Sequence, residues 1–428
     1  MNISSISEWP LQDPLEDYDA HVARAQLLSS HLARHFPNAS MDKVIKLARF
    51  IIFALPDLQK NGVVEFSRKK FRLLCTIRID LETGHLFFFP KGQKAAYGTH
   101  RLVKTALCLL PNQQLIPVKK VVPKVPALPV YGHLDADDCI FSDPGLKNAK
   151  GIPKAYAMFF YRWKHLNKHA EYTEPTTTKF CLMMEHFDGG LHRLLAMLQK
   201  GEIPALSFRE KASIIRQMVE AVYTLHTHVD KEGTFDPIAH YDVKPANFLF
   251  RIEFTERGGR KFCIAICDFG FHSHVRETPK ENDVQQWYIG EEHLYPYAAG
   301  TAPELLQEDI DHADFLKADI WALGCACLQF FVPKEDTPLL CLLDAARTAN
   351  KNGNKENRVE AFKIARRAVL EQRQELIEKA WLLYSQERPL IRVIETMLEL
   401  NPTRRQSIGY VKQEIERVVL ESVFQSTH

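Results

Sequence analysis

Two short polar segments in this chain of 428 residues carry residue types that reactions of phosphate groups require. The first is His240-Tyr241-Asp242-Val243-Lys244-Pro245-Ala246-Asn247, which runs straight into the apolar Phe248-Leu249-Phe250. The second is Asp268-Phe269-Gly270, which leaves the apolar stretch Phe262–Cys267. Carboxylates and an amide carbonyl are oxygen donors of the kind that hard divalent cations take. A lysine two residues from a carboxylate supplies a cation for a phosphate oxygen. Phosphoryl transfer asks a protein for positioning and charge neutralisation more than for covalent chemistry, and these residue types can supply both.

The elements that must hold these segments follow from the apolar pattern. Beyond residue 190 helices dominate. Ser207-Phe208-Arg209-Glu210 is a capping box, and Ile215, Met218, Val219, Val222 and Leu225 then form one apolar stripe. Helical spacing returns over 315–331, 356–382 and 388–400, and from Ile408 onward. Upstream, Phe71–Asp80, His85–Phe89, Leu102–Leu110 and Leu115–Val122 read as an antiparallel meander, with Ala155–Trp163 and Lys179–Met184 as two further strands. Residues 123–150 are rich in Pro, Asp and Gly and leave little room for a long helix. Residues 1–70 show helical spacing over Ala20–His35 and Met41–Leu58 and no catalytic motif. The expected organisation is a helical N-terminal extension (1–70), a small antiparallel β-rich lobe (71–185) and a larger α-helical lobe (186–428), an α+β bilobal fold.

In this order, and with five residues from Asp242 to Asn247, the two polar segments resemble the catalytic loop and the metal-binding loop of the eukaryotic-type protein kinases. Three later segments extend the resemblance. Ala302-Pro303-Glu304 is similar to the segment that closes the activation loop. Asp319-Ile320-Trp321-Ala322-Leu323-Gly324 is similar to the start of the central helix, whose Asp tethers the catalytic-loop backbone. Asn401-Pro402-Thr403-Arg404-Arg405 is similar to the late motif whose Arg, here Arg405, pairs with the Glu304 carboxylate. The resemblance runs over roughly residues 86–420 and is strongest over 205–410. It implies a bilobal kinase fold and an ATP-dependent kinase acting on Ser/Thr hydroxyls of proteins, since Lys244 follows Asp242 in the Ser/Thr manner. It also implies roles: Asp242 accepts or orients the proton of the attacking hydroxyl, Lys244 screens the transferred phosphoryl group, and Asn247 and Asp268 hold Mg²⁺, with Mn²⁺ as the alternative.

Upstream the likeness is looser. Lys94–Lys104 resembles the phosphate-covering Gly-rich loop, with Gly98 as its one matching glycine. Ile116-Pro117-Val118-Lys119 resembles the strand whose lysine holds the α- and β-phosphates; Lys119 is the expected residue and Lys120 its rival if the register slips by one. The helix Glu that ordinarily pairs with that lysine has no counterpart, because residues 121–170 contain no Glu. Asp135, Asp137, Asp138 and Asp143 are the acids of that segment, and Glu171 and Glu174 follow it. Lys179–Glu185 resembles the strand entering the hinge, with Met184 guarding the adenine pocket and the backbone of Glu185–Phe187 meeting the adenine edge.

Tyr241 stands where the family commonly has the Arg that meets a phosphorylated activation-loop residue, so activity without loop phosphorylation is expected. His226–His240 and Arg251–Arg260 are longer than the family's usual connections and read as surface excursions.

Composition narrows the class further. Hydrophobic residues make up 46% and charged residues 25%, which suits a globular chain of two or three domains or lobes. Lys plus Arg is 55 against 53 Asp plus Glu, so the net charge of +2 argues against nucleic acid as a partner. No apolar run is long enough to span a bilayer. Met1–Asp19 has no basic segment followed by an apolar one, so no secretory signal is expected. Nine cysteines without a Cys-x-x-Cys pair read as reduced thiols. The expected location is the cytoplasm, or a host's cytosol for an effector delivered by a bacterium. The expected partners are a nucleotide, a protein substrate and a regulator. Two other readings keep the fold: a pseudokinase acting as scaffold or allosteric partner, and a kinase-fold enzyme with another reaction, such as nucleotidyl transfer.

Overall fold

Near-continuous apolar strands such as Leu86-Phe87-Phe88-Phe89 suit a sheet buried on both faces, and such a sheet forms. A computed structural model of the chain describes residues 18–35, 40–49, 65–66, 75–79, 85–90, 96–97, 101–110, 114–123, 140–163, 177–256, 258–269, 273–274, 302–305, 314–332, 371 and 373–425. Contacts divide the chain into two units, Met1–His133 with Lys154–His186, and Leu134–Pro153 with Phe187–His428.

The smaller unit begins with helices α1 (Tyr18–His35) and α2 (Met41–Arg49), which pack together and bury Leu32, Val44 and Leu47. Its sheet contains β1 (Glu65–Phe66), β2 (Cys75–Ile79), β3 (Leu86–Pro90), β4 (Ala96–Tyr97), β5 (Arg101–Leu109), β6 (Leu115–Pro123), β7 (Ala155–Trp163) and β8 (Thr177–Glu185). The strand order is β1-β2-β3-β5-β6-β8-β7, and β4 pairs with β5 off that path. All pairings are antiparallel. Phe87, Ala106, Cys108, Val118, Cys181 and Met183 form a core cluster. Their sequence neighbours Phe88, Leu107, Leu182 and Met184 are buried as well, on the other face by the strand alternation. Glu65–Phe66 belongs to this sheet although the sequence places it in the helical extension. Backbone pairing at a sheet edge needs no side-chain pattern, so a two-residue strand leaves no periodic signal.

The larger unit is built around α4 (Phe208–His226), which follows β9 (Gly189–Gly190) and α3 (Leu191–Gln199). The expected capping box is present: Ser207 Oγ accepts from the Glu210 backbone N–H, and Glu210 Oε2 accepts from the Ser207 N–H at 2.8 Å. After β10 (Ile238–Ala239), strands β11 (Phe248–Phe254) and β12 (Arg260–Ile266) form a hairpin, and β13 (Ser273–His274) pairs with β10. Gln217 of α4 grips the hairpin: its Nε2 donates to Phe262 O at 2.9 Å and its Oε1 accepts from Ile264 N at 3.0 Å. α5 (Phe315–Leu328), a helical stretch over residues 373–383, α6 (Arg388–Met397) and α7 (Ile408–Gln425) complete the described helices. Each expected excursion carries backbone pairing among its described residues. Val229 and Phe235 form an isolated bridge in the first, and the β11–β12 pairing of the second runs out to Phe254, an exposed residue.

Residues 140–153, which the sequence places among those of the smaller lobe, pack as part of the larger unit. Gly151 explains the docking. Its backbone lies so close to α4 that a Cβ would stand 2.5 Å from the Ala221 Cα, and its φ of +77° is one that glycine adopts without strain. Gly151 O accepts from Ile266 N at 2.8 Å, and Thr224 Oγ1 donates to Lys150 O at 2.9 Å.

Candidate active site

The polar segment 240–247 leaves β10, makes one 3₁₀ turn at Pro245–Asn247 and enters β11. Its backbone is anchored from α5. Asp319, 2% exposed, accepts from His240 N at 2.7 Å and His226 Nε2 at 3.1 Å through Oδ2, and from Tyr241 N at 3.0 Å through Oδ1. The tether expected of Asp319 is therefore present, and a buried carboxylate so satisfied rigidifies the loop. His240 continues the anchor. Its Nδ1 accepts from Asp242 N at 3.3 Å, which puts the ring proton on Nε2, and Nε2–H donates to Cys267 O at 3.1 Å. Its ring also packs against Phe269 at 5.3 Å, and Phe269 meets Phe141 edge-on at 5.9 Å.

On this frame Asp242, Lys244 and Asn247 converge. Lys244 Nζ donates to Asp242 Oδ2 at 2.6 Å. Asn247 Nδ2 donates to the Asp242 carbonyl at 2.8 Å and to its Oδ2 at 2.9 Å. With the amide nitrogen so committed, the oxygen Oδ1 is what Asn247 has to offer a cation. Among the described residues Asp242 Oδ1 has no hydrogen-bond partner.

Asp268 lies two residues past the end of β12. Cys267 N donates to Asn247 O at 2.8 Å, and Cys267 O is held by His240, so the residue before Asp268 is fixed on both sides. Asp268 has φ +65° and Tyr241 φ +63°, both in the left-handed region that non-glycine residues seldom adopt. Such strain clusters at functional sites. The donors fit a hard cation: a carboxylate at 268 and an amide oxygen at 247. Among the described residues no three His, Cys, Asp or Glu side chains gather into a metal cluster.

In the smaller unit the register separates the two lysines. Lys119 lies between Thr105 of β5 and Met184 of β8, and its Nζ donates to Thr105 Oγ1 at 3.3 Å. Lys120 turns to the opposite face, where its Nζ stands 4.6 Å from the Phe89 ring centre. Lys119 is thus the lysine that shares a face with Met184. Glu185 pairs through backbone and side chain with Lys154, and Phe187, buried in the larger unit, carries the Arg251 guanidinium over its ring at 5.6 Å. Gly98, Asp135, Asp137, Asp138, Glu171 and Glu174 lie outside the described residues. Asp143 is engaged within the larger unit. Its Oδ1 accepts from Gly145 N at 2.6 Å and stands 3.2 Å from Nε2 of the buried His228.

Three residues of this arrangement have no sequence signal as strong as the two motifs. His226 reads as the start of a surface excursion, yet it is buried and is a partner of Asp319. Phe141 sits in a segment without periodicity, and Phe315 reads as one more helical apolar residue. Each acts through a contact distant in sequence.

A family model described as the protein kinase domain matches residues 163–415. The chain belongs to the eukaryotic-type protein kinase superfamily and is a protein kinase by fold and family. Among curated relatives it is 25% identical to ribosomal protein S6 kinase alpha-2 of Mus musculus over 280 residues, 58% of this chain and 36% of that protein. It is 30% identical to serine/threonine-protein kinase tousled-like 1 of Caenorhabditis elegans over 159 residues, 36% of this chain and 14% of the relative. To CDPK-related kinase 4 of Arabidopsis thaliana it is 26% identical over 193 residues, 42% of this chain and 27% of the relative. The chain therefore spans little more than a third, at most, of the length of these relatives.

Proposed function

We propose that this protein kinase transfers the γ-phosphoryl group of ATP to Ser/Thr hydroxyls of protein substrates, with Mg²⁺ or Mn²⁺ as its metal. The observation that carries this reading is the convergence of Asp242, Lys244 and Asn247 on a loop anchored by Asp319 and His240. Asp242 Oδ2 is occupied by Lys244 and Asn247, so Oδ1 is the oxygen that orients a substrate hydroxyl and takes its proton. Lys244 offers its remaining donors to the transferred group. Asn247 Oδ1 and the Asp268 carboxylate hold the cation, which when bound neutralises phosphate charge. Lys119, one strand from Met184, grips the α- and β-phosphates, and the backbone at Glu185–Phe187 meets the adenine edge. The likeness to serine/threonine-protein kinase tousled-like 1 supports the hydroxyl class of the acceptor. We place the protein in the cytoplasm. Desolvation pushes the half-buried Cys325 thiol up to about 12 and that of the buried Cys327 higher, and such unreactive thiols suit a reducing compartment.

The test is incubation of the purified chain with ATP labelled at either the γ- or the α-phosphate, Mg²⁺ or Mn²⁺, and generic protein substrates. Transfer of γ-label to Ser or Thr is the expected result. Transfer of α-label would identify a nucleotidyl transferase instead, and absence of any transfer would leave a scaffold.

A further inference from the structure

Tyr241 is held by α5 at two points one helical turn apart. Phe315 and Asp319 are four residues apart and share a face of that helix. Asp319 Oδ1 accepts the Tyr241 N–H at 3.0 Å. The Phe315 ring meets the Tyr241 ring edge-on, with centres 4.9 Å apart and planes at 69°. That geometry is the favoured one for two aromatic quadrupoles. Between these contacts the Tyr241 backbone keeps φ +63°, a conformation a bulky side chain avoids unless its surroundings over-determine it.

We propose that Tyr241 is a positioning residue for Asp242, working through its ring contact with Phe315. The left-handed turn at 241 sets where the chain leaves toward Asp242, whose N–H then reaches His240 Nδ1 and whose Oδ2 meets Lys244 and Asn247. Release of the Tyr241 ring lets the backbone relax out of the turn, and the Asp242 carboxylate loses its register with Lys244. The ring contact is uncharged, so it needs no anion to form. The helix position of Phe315 is part of the device. Asp314 caps α5 by accepting from Lys317 N at 3.2 Å, which fixes the first turn that carries Phe315.

The catalytic consequence rests on the proposed phosphoryl transfer, so the test has one arm that needs no activity. Amide hydrogen exchange of residues 240–242 is measured on the full chain without nucleotide, for wild type, Tyr241→Ala, Tyr241→Phe, Phe315→Ala and the double alanine variant. Both single alanine variants are expected to exchange about tenfold faster at these amides, the scale of one aromatic pair, while Tyr241→Phe matches wild type. The double variant is expected to be no faster than the singles, because each removes the same contact. In the activity arm the alanine variants are expected to lose about tenfold in kcat with the KM for ATP nearly unchanged, and Tyr241→Phe is expected to restore kcat. Unchanged exchange in Tyr241→Ala would overturn the proposal even if Phe315→Ala fails to fold. So would an impaired Tyr241→Phe, which would assign the role to the hydroxyl, or effects that add in the double variant. If wild type transfers no phosphate, the proposed activity falls, and the exchange arm still decides whether the ring pair holds the loop.

Discussion

Glu304 and Arg405, 101 positions apart, meet in a bidentate ion pair inside the larger unit, Nη1 to Oε1 at 2.5 Å and Nη2 to Oε2 at 3.1 Å. The Arg405 side chain is 0% exposed. Its Nε donates to Glu399 O and its Nη1 also to Lys317 O, its guanidinium lies 5.1 Å from the Trp321 ring centre, and its own carbonyl accepts from Lys317 Nζ. The pair expected from the late Arg motif thus forms, and it ties the Ala302-Pro303-Glu304 segment to α5 and the loop before α7. Glu304→Ala and Arg405→Ala should each destabilise the protein by about 3–5 kcal/mol, since either leaves a buried charge uncompensated. Urea unfolding of both variants checks this, and midpoints equal to wild type would show that the pair contributes nothing.

Asp268→Ala should abolish phosphoryl transfer while leaving the fold intact. The residue sits half-buried at φ +65° after β12, next to a Cys267 held by both Asn247 and His240. Its replacement removes a hard oxygen donor without opening a core cavity. Turnover and circular dichroism of the same preparation give the answer. Wild-type turnover in a folded variant would dismiss the metal role.

The two adjacent lysines should behave differently. Lys119→Ala should lose most ATP turnover, and Lys120→Ala, whose ammonium lies over Phe89, should keep it. The acid that orients Lys119 should be sought by alanine substitution at Asp135, Asp137 and Asp138, one of which should show a clear partial loss. Asp143→Ala should act otherwise and lower the melting temperature, because its carboxylate serves Gly145 N and faces His228. A dead Lys120→Ala beside an active Lys119→Ala would place the phosphate lysine on the other face of the sheet.

Activity should not require phosphorylation between residues 268 and 304. Tyr241 offers no cation to a phosphate and is already seated on Phe315. Phosphatase-treated protein should keep most of its activity. A loss reversed by rephosphorylation within that stretch would contradict this.

Glu210 should make part of the stability pH-dependent. Burial raises its carboxyl pKa, but hydrogen bonds from Arg260 and Ser207 outweigh that and hold it below its ordinary value of 4.5. A carboxyl with a lower pKa folded than unfolded stabilises the protein fully above the unfolded value, and loses that contribution as pH falls through the folded one. Wild type should therefore be more stable than Glu210→Gln at pH 7, and the gap should narrow once the pH drops below about 4.5. Thermal unfolding of both proteins across that range checks it; a gap that does not change with pH would refute the assignment.

Most of the candidate site was legible before any coordinates because its residues are local in sequence. Asp242, Lys244 and Asn247 lie within one turn and the following 3₁₀ step, and Asp268 follows a strand whose apolar run announces it. The Ser207–Glu210 box was legible for the same reason, since its bonds span three residues. The smaller unit was legible only in outline. Its strands fall close to where apolar runs place them, but the edge strand Glu65–Phe66 and the affiliation of residues 140–153 rest on backbone approach, which side-chain pattern does not encode.

The amino-acid order by itself determined the family, the chemistry available to the site and the elements that carry it, because motif spacing and hydrophobic period are properties of short stretches. It also named Arg405 and Glu304 as partners, through motifs rather than distance. Only the tertiary structure decided which lysine of the Lys119–Lys120 pair turns to the Met184 face, since in a strand neighbouring residues point to opposite sides and the pairing partners set the register. Only the tertiary structure brought His226 to Asp319 and Phe315 to Tyr241, because those contacts join elements 93 and 74 positions apart, and packing rather than local propensity determines which side chains meet.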